Sequence, residues 1–249
     1  MIGAIICTPL AILYAQKPAE IESSPLPSGA LLVRAPSLAR WQITSSSESA
    51  PSASPAAASS LPQPSLPRAA EVRQITVTKS GMAYYREVLF DDSSELDEWW
   101  VAGVQVTQKK GHPGLLVSHQ TGDLFYMNFV SSDFPEFDWI GPKTYIGIQK
   151  LGGRKCLVFK SQIQRVPEVA MRGMSPEELM SAQKDLQPVM AWIDLETRLP
   201  LQFATEGKKE TYTFLLPSSG PLVLPSAVEK EIIALAAIKA QANRRAPHP

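Results

Sequence analysis

Five carboxylates fall within eight residues at 91–98, where Asp91, Asp92, Glu95, Asp97 and Glu98 run into Trp99 and Trp100. Carboxylates crowded in this way suit a hard divalent cation or an acid–base pair. The calcium-loop pattern with its central glycine is missing, and a solvated turn between strands accounts for the same residues. A second acidic group, Asp133, Glu136 and Asp138, is interleaved with Phe134, Phe137 and Trp139. Aromatic faces beside carboxylates suit sugar or peptide contacts if they are exposed, and a core if they are not.

The remaining chemistry is sparse. His112 sits in a Gly-Pro turn, His119 ends a strand seven residues later, and His248 lies in the tail. That spacing fits no zinc site, which would draw on four Cys or His ligands. Cys7 follows Ile6, whereas lipid attachment to a cysteine wants a small residue there. Cys156 lies in an alternating apolar run and reads as a small buried hydrophobe, not as a nucleophile. No Gly-x-Ser-x-Gly elbow occurs, and Gly152-Gly153 reads as a hairpin turn. With 24 basic against 24 acidic residues, the chain offers no charge excess to a nucleic acid. We therefore expect no enzyme, no metal and no cofactor.

The elements that would position these residues occupy only part of the 249-residue chain. Residues 2–15 form an uncharged apolar run too short to span a bilayer, so residues 1–15 read as a signal peptide. Export then follows, to the periplasm or cell envelope, with no integral membrane segment left after cleavage. Between 44 and 67, 19 of 24 residues are Ser, Ala or Pro. Such a stretch buries too little apolar surface to offset its ordering entropy. Residues 16–67 are therefore expected to form a disordered tether, with docking of 16–43 on the main domain or a partner through Leu31, Leu32, Val33 and Trp41 left open; a domain follows at 68–245 and a frayed tail at 246–249.

Within that domain, period-two patterns mark strands at 72–79, 82–90, 99–107, 115–119, 123–130, 143–149, 154–162, 189–194, 199–205 and 210–216. Short strands split by turn residues indicate an antiparallel meander. Ser175-Pro-Glu-Glu178 is a capping box and opens a helix at 176–186. Ser226 caps a second helix at 227–243, where Val228, Ile232 and Leu235 repeat at helical spacing. The fold class is thus mainly β with helical cover, an α+β arrangement. Several strands are apolar on both sides, and such a sheet must be covered on both faces.

Residues 190–216, MAWIDLETRLPLQFATEGKKETYTFLL, carry a resemblance. A strand ends in Trp-Ile-Asp, a turn follows, Leu-Pro opens the next strand, and a third strand is rich in Thr and aromatics. This resembles the late strands of the outer-membrane lipoprotein-sorting and lipoprotein-carrier superfamily. The resemblance implies a curved antiparallel half-barrel closed by helices, with an apolar cavity for acyl chains. No residue-level binding motif carries over, and the chain departs from the family in lacking an amphipathic helix before its first strand. The function expected is a non-enzymatic carrier or binder of a lipid or lipoprotein acyl chain. Phe125, Met127, Phe129, Met190, Trp192, Phe203 and Phe214 are the candidates to line the cavity. The alternative is an envelope protein–protein interaction module with a filled core.

Overall fold

A computed structural model of the chain describes residues 20–47, 70–119, 133–164, 186–217 and 220–245. These residues form one antiparallel sheet of eleven strands, open at both ends, in the order β6-β5-β4-β3-β2-β1-β11-β10-β9-β8-β7. The strands are β1 (Leu38–Ser47), β2 (Val72–Ser80), β3 (Ala83–Phe90), β4 (Glu95–Val101), β5 (Val104–Lys109) and β6 (Leu115–His119), then β7 (Tyr145–Leu151), β8 (Arg154–Gln164), β9 (Leu186–Asp194), β10 (Pro200–Thr205) and β11 (Lys208–Leu215). Two meanders, β2–β6 and β7–β11, are therefore joined edge to edge through β1. The chain crosses from one outer edge to the other between β6 and β7. Part of that crossover, residues 133–144, is described and carries two short 3-10 turns.

The expected boundary at residue 68 is corrected by β1. Trp41 pairs with Val77 on one side and Phe214 on the other, and Ile43 with Ile75 and Tyr212. Alternation places Ala39, Trp41 and Ile43 on one face, so the strand extends an apolar surface common to its neighbours. Residues 20–35 are also part of the body. Glu22 and Ile148 exchange backbone hydrogen bonds at the β7 edge, and the Val33 amide donates to the Arg198 carbonyl. At Gly147 a side chain would collide with the Glu22 carbonyl, so glycine is what lets this strap reach the edge.

The strand expected at 99–107 is two strands. Ala102 and Gly103 both take positive φ, 51° and 81°, the geometry of a two-residue hairpin turn between β4 and β5. Gly152 and Gly153 make the same kind of turn between β7 and β8, as their sequence implies. The strand expected at 123–130, the signal peptide, and residues 16–19 and 48–67 of the expected tether lie outside the described residues. The helix expected at 176–186 does too, apart from Leu186, which opens β9. One helix of that expectation is described, α1 (Ser226–Arg245).

Three apolar clusters hold the sheet. The main one lies on the first face and takes Trp41, Val77, Tyr84, Trp100, Leu157, Phe159, Ala191, Ile193, Phe203 and Tyr212. On the reverse face, Val228 and Ile232 of α1 pack on Trp99, Val104 and Val106. A third cluster, Cys156, Val158 and Trp192, backs the β8–β10 end. Among the described residues, no helix is long and apolar enough to cross a membrane.

Candidate functional site

The first face of β1, β10 and β11 presents an aromatic floor made by Trp41, Phe203, Tyr212 and Phe214. Residues 133–137 lie on it. Phe137 stands edge-on to Phe203 and Tyr212, with ring centres 5.7 and 5.4 Å away. Phe134 meets Trp41 at 5.6 Å and Phe214 at 6.1 Å. Tilted and edge-to-face contacts at these distances are favourable beyond the area that they bury. Phe134 and Phe137 are each 1% exposed. A recognition surface of exposed aromatics, weighed above for this loop, is therefore ruled out for these two rings, and the core takes them. Leu31 and Leu32 of the strap join the same cluster.

Beside the floor sits a charge with no access to water. Asp133, whose side chain is 0% exposed, lies 2.7 Å from the ammonium of Lys79 and 3.5 Å from Nε of Arg34. The Ala35 amide donates to it at 3.0 Å, and the Tyr84 hydroxyl donates to its other oxygen. The Lys79 ammonium also donates to the Ala35 carbonyl at 2.9 Å and lies over the Tyr84 ring. Burial first, and then the Asp133 carboxylate it serves, hold the Tyr84 phenol far above its ordinary pKa, so it remains a donor. Sequence reasoning named Asp133 and missed its partners. One signal was present: Lys79 continues the apolar phase of Ile75 and Val77, and a lysine there calls for a counter-ion.

The seven cavity candidates do not form one group. Phe203 and Phe214 share the floor, whereas Met190 and Trp192 belong to the third cluster on the reverse face. Phe203 pairs with Ala191, which points to the floor, so Met190 and Trp192 on either side of it must point away. The Trp192 indole donates to Gln149 at 2.6 Å. Phe125, Met127 and Phe129 lie outside the described residues.

The carboxylates at 91–98 are each taken up locally. Asp91 accepts from the Glu71 amide and Asp92 from the Ser94 amide, both at 2.9 Å. Glu95 pairs with Lys110, Asp97 accepts from the Tyr85 hydroxyl at 2.8 Å, and Glu98 lies 3.2 Å from Arg86. Glu95, Asp97 and Glu98 are strand residues of β4, not members of a turn as expected.

Asp194 closes the β9–β10 hairpin. Its carboxylate accepts from the Thr197 amide at 2.7 Å and hydroxyl at 2.9 Å, and lies 2.8 Å from Arg154. Burial pushes the carboxyl up, but the Thr197 donors and Arg154 outweigh it and hold the pKa below the ordinary aspartate value. The stability Asp194 contributes is thus complete above about pH 4 and is lost as pH falls through its depressed native pKa. In Asp194→Asn that part of the acid limb should vanish. Urea midpoints measured between pH 2 and 7 should converge for the two proteins at the acid end.

Burial pushes the Cys156 thiol up to about 11, with Asp194 adding to the effect. The side chain is fully buried. In a Cys7→Ser chain, a thiol-specific chromogenic reagent at pH 8 should therefore find no reactive group until denaturant is added. Rapid modification of the native protein would contradict the packing described.

Two surface hollows, of about 480 and 340 Å³, are lined mostly by polar or charged residues. The first lies among Ser45, Ser47, Arg73, Asp91 and Lys208, the second among Arg40, Gln42, Gln74, Glu87 and Asp97. A third, of only about 50 Å³, lies beside the floor between Trp41, Tyr212, Arg86 and Asp133. None of the four described candidates, Met190, Trp192, Phe203 and Phe214, lines any of these three hollows.

The chain matches no protein-family model and no curated protein. Among solved structures it is similar to the lipoprotein LppX of Mycobacterium tuberculosis. Identity is 7% and the TM-score 0.37, over 76% of this chain and 90% of LppX.

Proposed function

We propose that the chain is an exported, non-enzymatic binding protein that shelters an apolar chain, a lipid or lipoprotein acyl group, on the aromatic floor of its open sheet. One observation carries this reading. Among the described residues, the floor at Trp41, Phe203, Tyr212 and Phe214 is covered by two largely irregular segments, residues 20–35 and residues 133–144, the latter with short 3-10 turns. Irregular segments expose a smaller contact area and separate from a sheet more readily than a packed layer does. Each methylene of a ligand replacing Phe134 and Phe137 there would contribute about 0.8 kcal/mol.

A second reading is favoured by the same rings. Phe134 and Phe137 lie on the floor, and the hollow described beside them is only about 50 Å³, which supports a core that needs no ligand. The protein would then be an envelope interaction module. We propose residues 1–15 as a signal peptide and residues 48–67 as the tether to a body that includes β1.

Native mass spectrometry of the full chain, purified gently from a membrane-containing host, separates the two readings. An added mass that extracts into organic solvent as lipid is the expected result. A bare polypeptide mass, unchanged after incubation with phospholipid and fatty acid, would overturn the lipid reading in favour of the interaction module.

A further inference from the structure

Both described segments over the aromatic floor meet at the same buried carboxylate. The strap reaches Asp133 through Arg34 and the Ala35 amide. Asp133 itself belongs to the described part of the crossover, and the β2–β3 hairpin meets it through Lys79 and Tyr84. The Lys79 ammonium binds the Asp133 carboxylate and the Ala35 carbonyl together, so one cation holds both segments. We propose that Asp133 is a clasp that joins the strap, residues 20–35, and the crossover, residues 133–144, into a single releasable cover over the aromatic floor.

Packing alone would not couple them in this way. Apolar contacts are local, and losing one ring leaves the neighbouring segment its own contacts. A buried ion pair behaves differently, since removing one partner strands the other in a medium that cannot solvate it. If Asp133 withdraws, Lys79, 4% exposed, must find water. The ammonium already holds the Ala35 carbonyl, so its displacement disturbs the strap as well as the crossover. Asp133 also takes a positive φ of 64°, a conformation that aspartate tolerates but that surrounding contacts must maintain. What the cover uncovers is the floor, and here the inference rests on the proposed function: the ligand admitted is an apolar chain.

Hydrogen exchange on the full chain tests the clasp without any ligand. The reporters are the Val33 and Ala35 amides in the strap and the Phe137 and Ile140 amides in the crossover. In Asp133→Asn, all four should exchange faster by a common factor of roughly 100, each remaining less protected than the amides of the β8–β9 ladder, whose protection follows global stability. Arg34→Gln acts from the half-exposed side of the cluster and spares the fold. It should accelerate the same four amides by a smaller, common factor. Acceleration confined to one segment, in either variant, would overturn the proposal, as would protection of the four amides equal to that of the β8–β9 ladder, which would mark their opening as global. The exchange result stands apart from the mass-spectrometric one: a clasp that opens over a floor that takes no lipid would remove the lipid reading and leave the clasp.

Discussion

A chain that begins at residue 68 will not fold. It lacks β1, which lies between β2 and β11 and hydrogen-bonds to both along most of its length. Without it the eleven-strand sheet becomes two meanders, each with a bare central edge where paired backbone stood before. The Trp41 side chain, 1% exposed, leaves with the strand, and so do Ala39 and Ile43. Loss of a buried Trp side chain alone costs about 3–5 kcal/mol. Against a total stability of roughly 5–15 kcal/mol, the orphaned amides and carbonyls then decide the outcome. The expected result is aggregation of the 68–249 fragment, or a circular dichroism spectrum with no cooperative melt. The 20–249 chain should melt in one transition. A synthetic peptide of residues 36–48 added to the fragment should recover part of that transition. A fragment that melts cooperatively at the midpoint of the longer chain would show that β1 is dispensable.

The same strand shows what local pattern could and could not disclose. Leu38-Ala-Arg-Trp-Gln-Ile alternates as cleanly as β2 does, but it runs into Thr44-Ser-Ser-Ser and then into the Ser/Ala/Pro stretch. Composition averaged over that window hid a strand whose last serines pair with Lys208, Lys209 and Glu210. Turn chemistry was legible where it was doubled, at Gly152-Gly153. It was not at Ala102-Gly103, because Trp99, Trp100, Val101, Val104 and Val106 make a nearly continuous apolar run that mimics one strand apolar on both faces, and only the change of phase between Val101 and Val104 marks the turn. The helix α1 declared itself through Ser226 and Glu229. The division of the cavity candidates between two faces follows from alternation once a face is fixed, yet alternation alone does not say which side the crossover will cover. Asp133 meets Ala35 across 98 positions and Lys79 across 54, separations to which periodicity is blind. The in-phase Lys79 announced that a counter-ion existed without naming it.

That counter-ion sets the second large effect. Lys79→Met should cost about 3–5 kcal/mol, because it leaves the Asp133 carboxylate buried with two neutral donors and the half-exposed Arg34. Asp133→Asn should cost a comparable amount by stranding the ammonium beside the Ala35 carbonyl. The double variant should lose less than either single one. Asparagine keeps one acceptor oxygen for the Ala35 amide, can donate from its NH2 to the Tyr84 oxygen and tolerates the positive φ, while methionine fills the volume of the lysine stem. With no charge left to solvate except Arg34, which can turn to water, the desolvation cost of the pair disappears along with its attraction. Urea denaturation of the four proteins gives the coupling energy directly. Costs that add would mean that Lys79 and Asp133 act independently, each stabilised by its other contacts, and the two charges would then have no joint part in holding the floor closed. A strongly non-additive cycle places the stability of the cover in the pair itself. The cover can then be retained or released according to whether these two charges stay together, while the ladders of the sheet beneath remain intact.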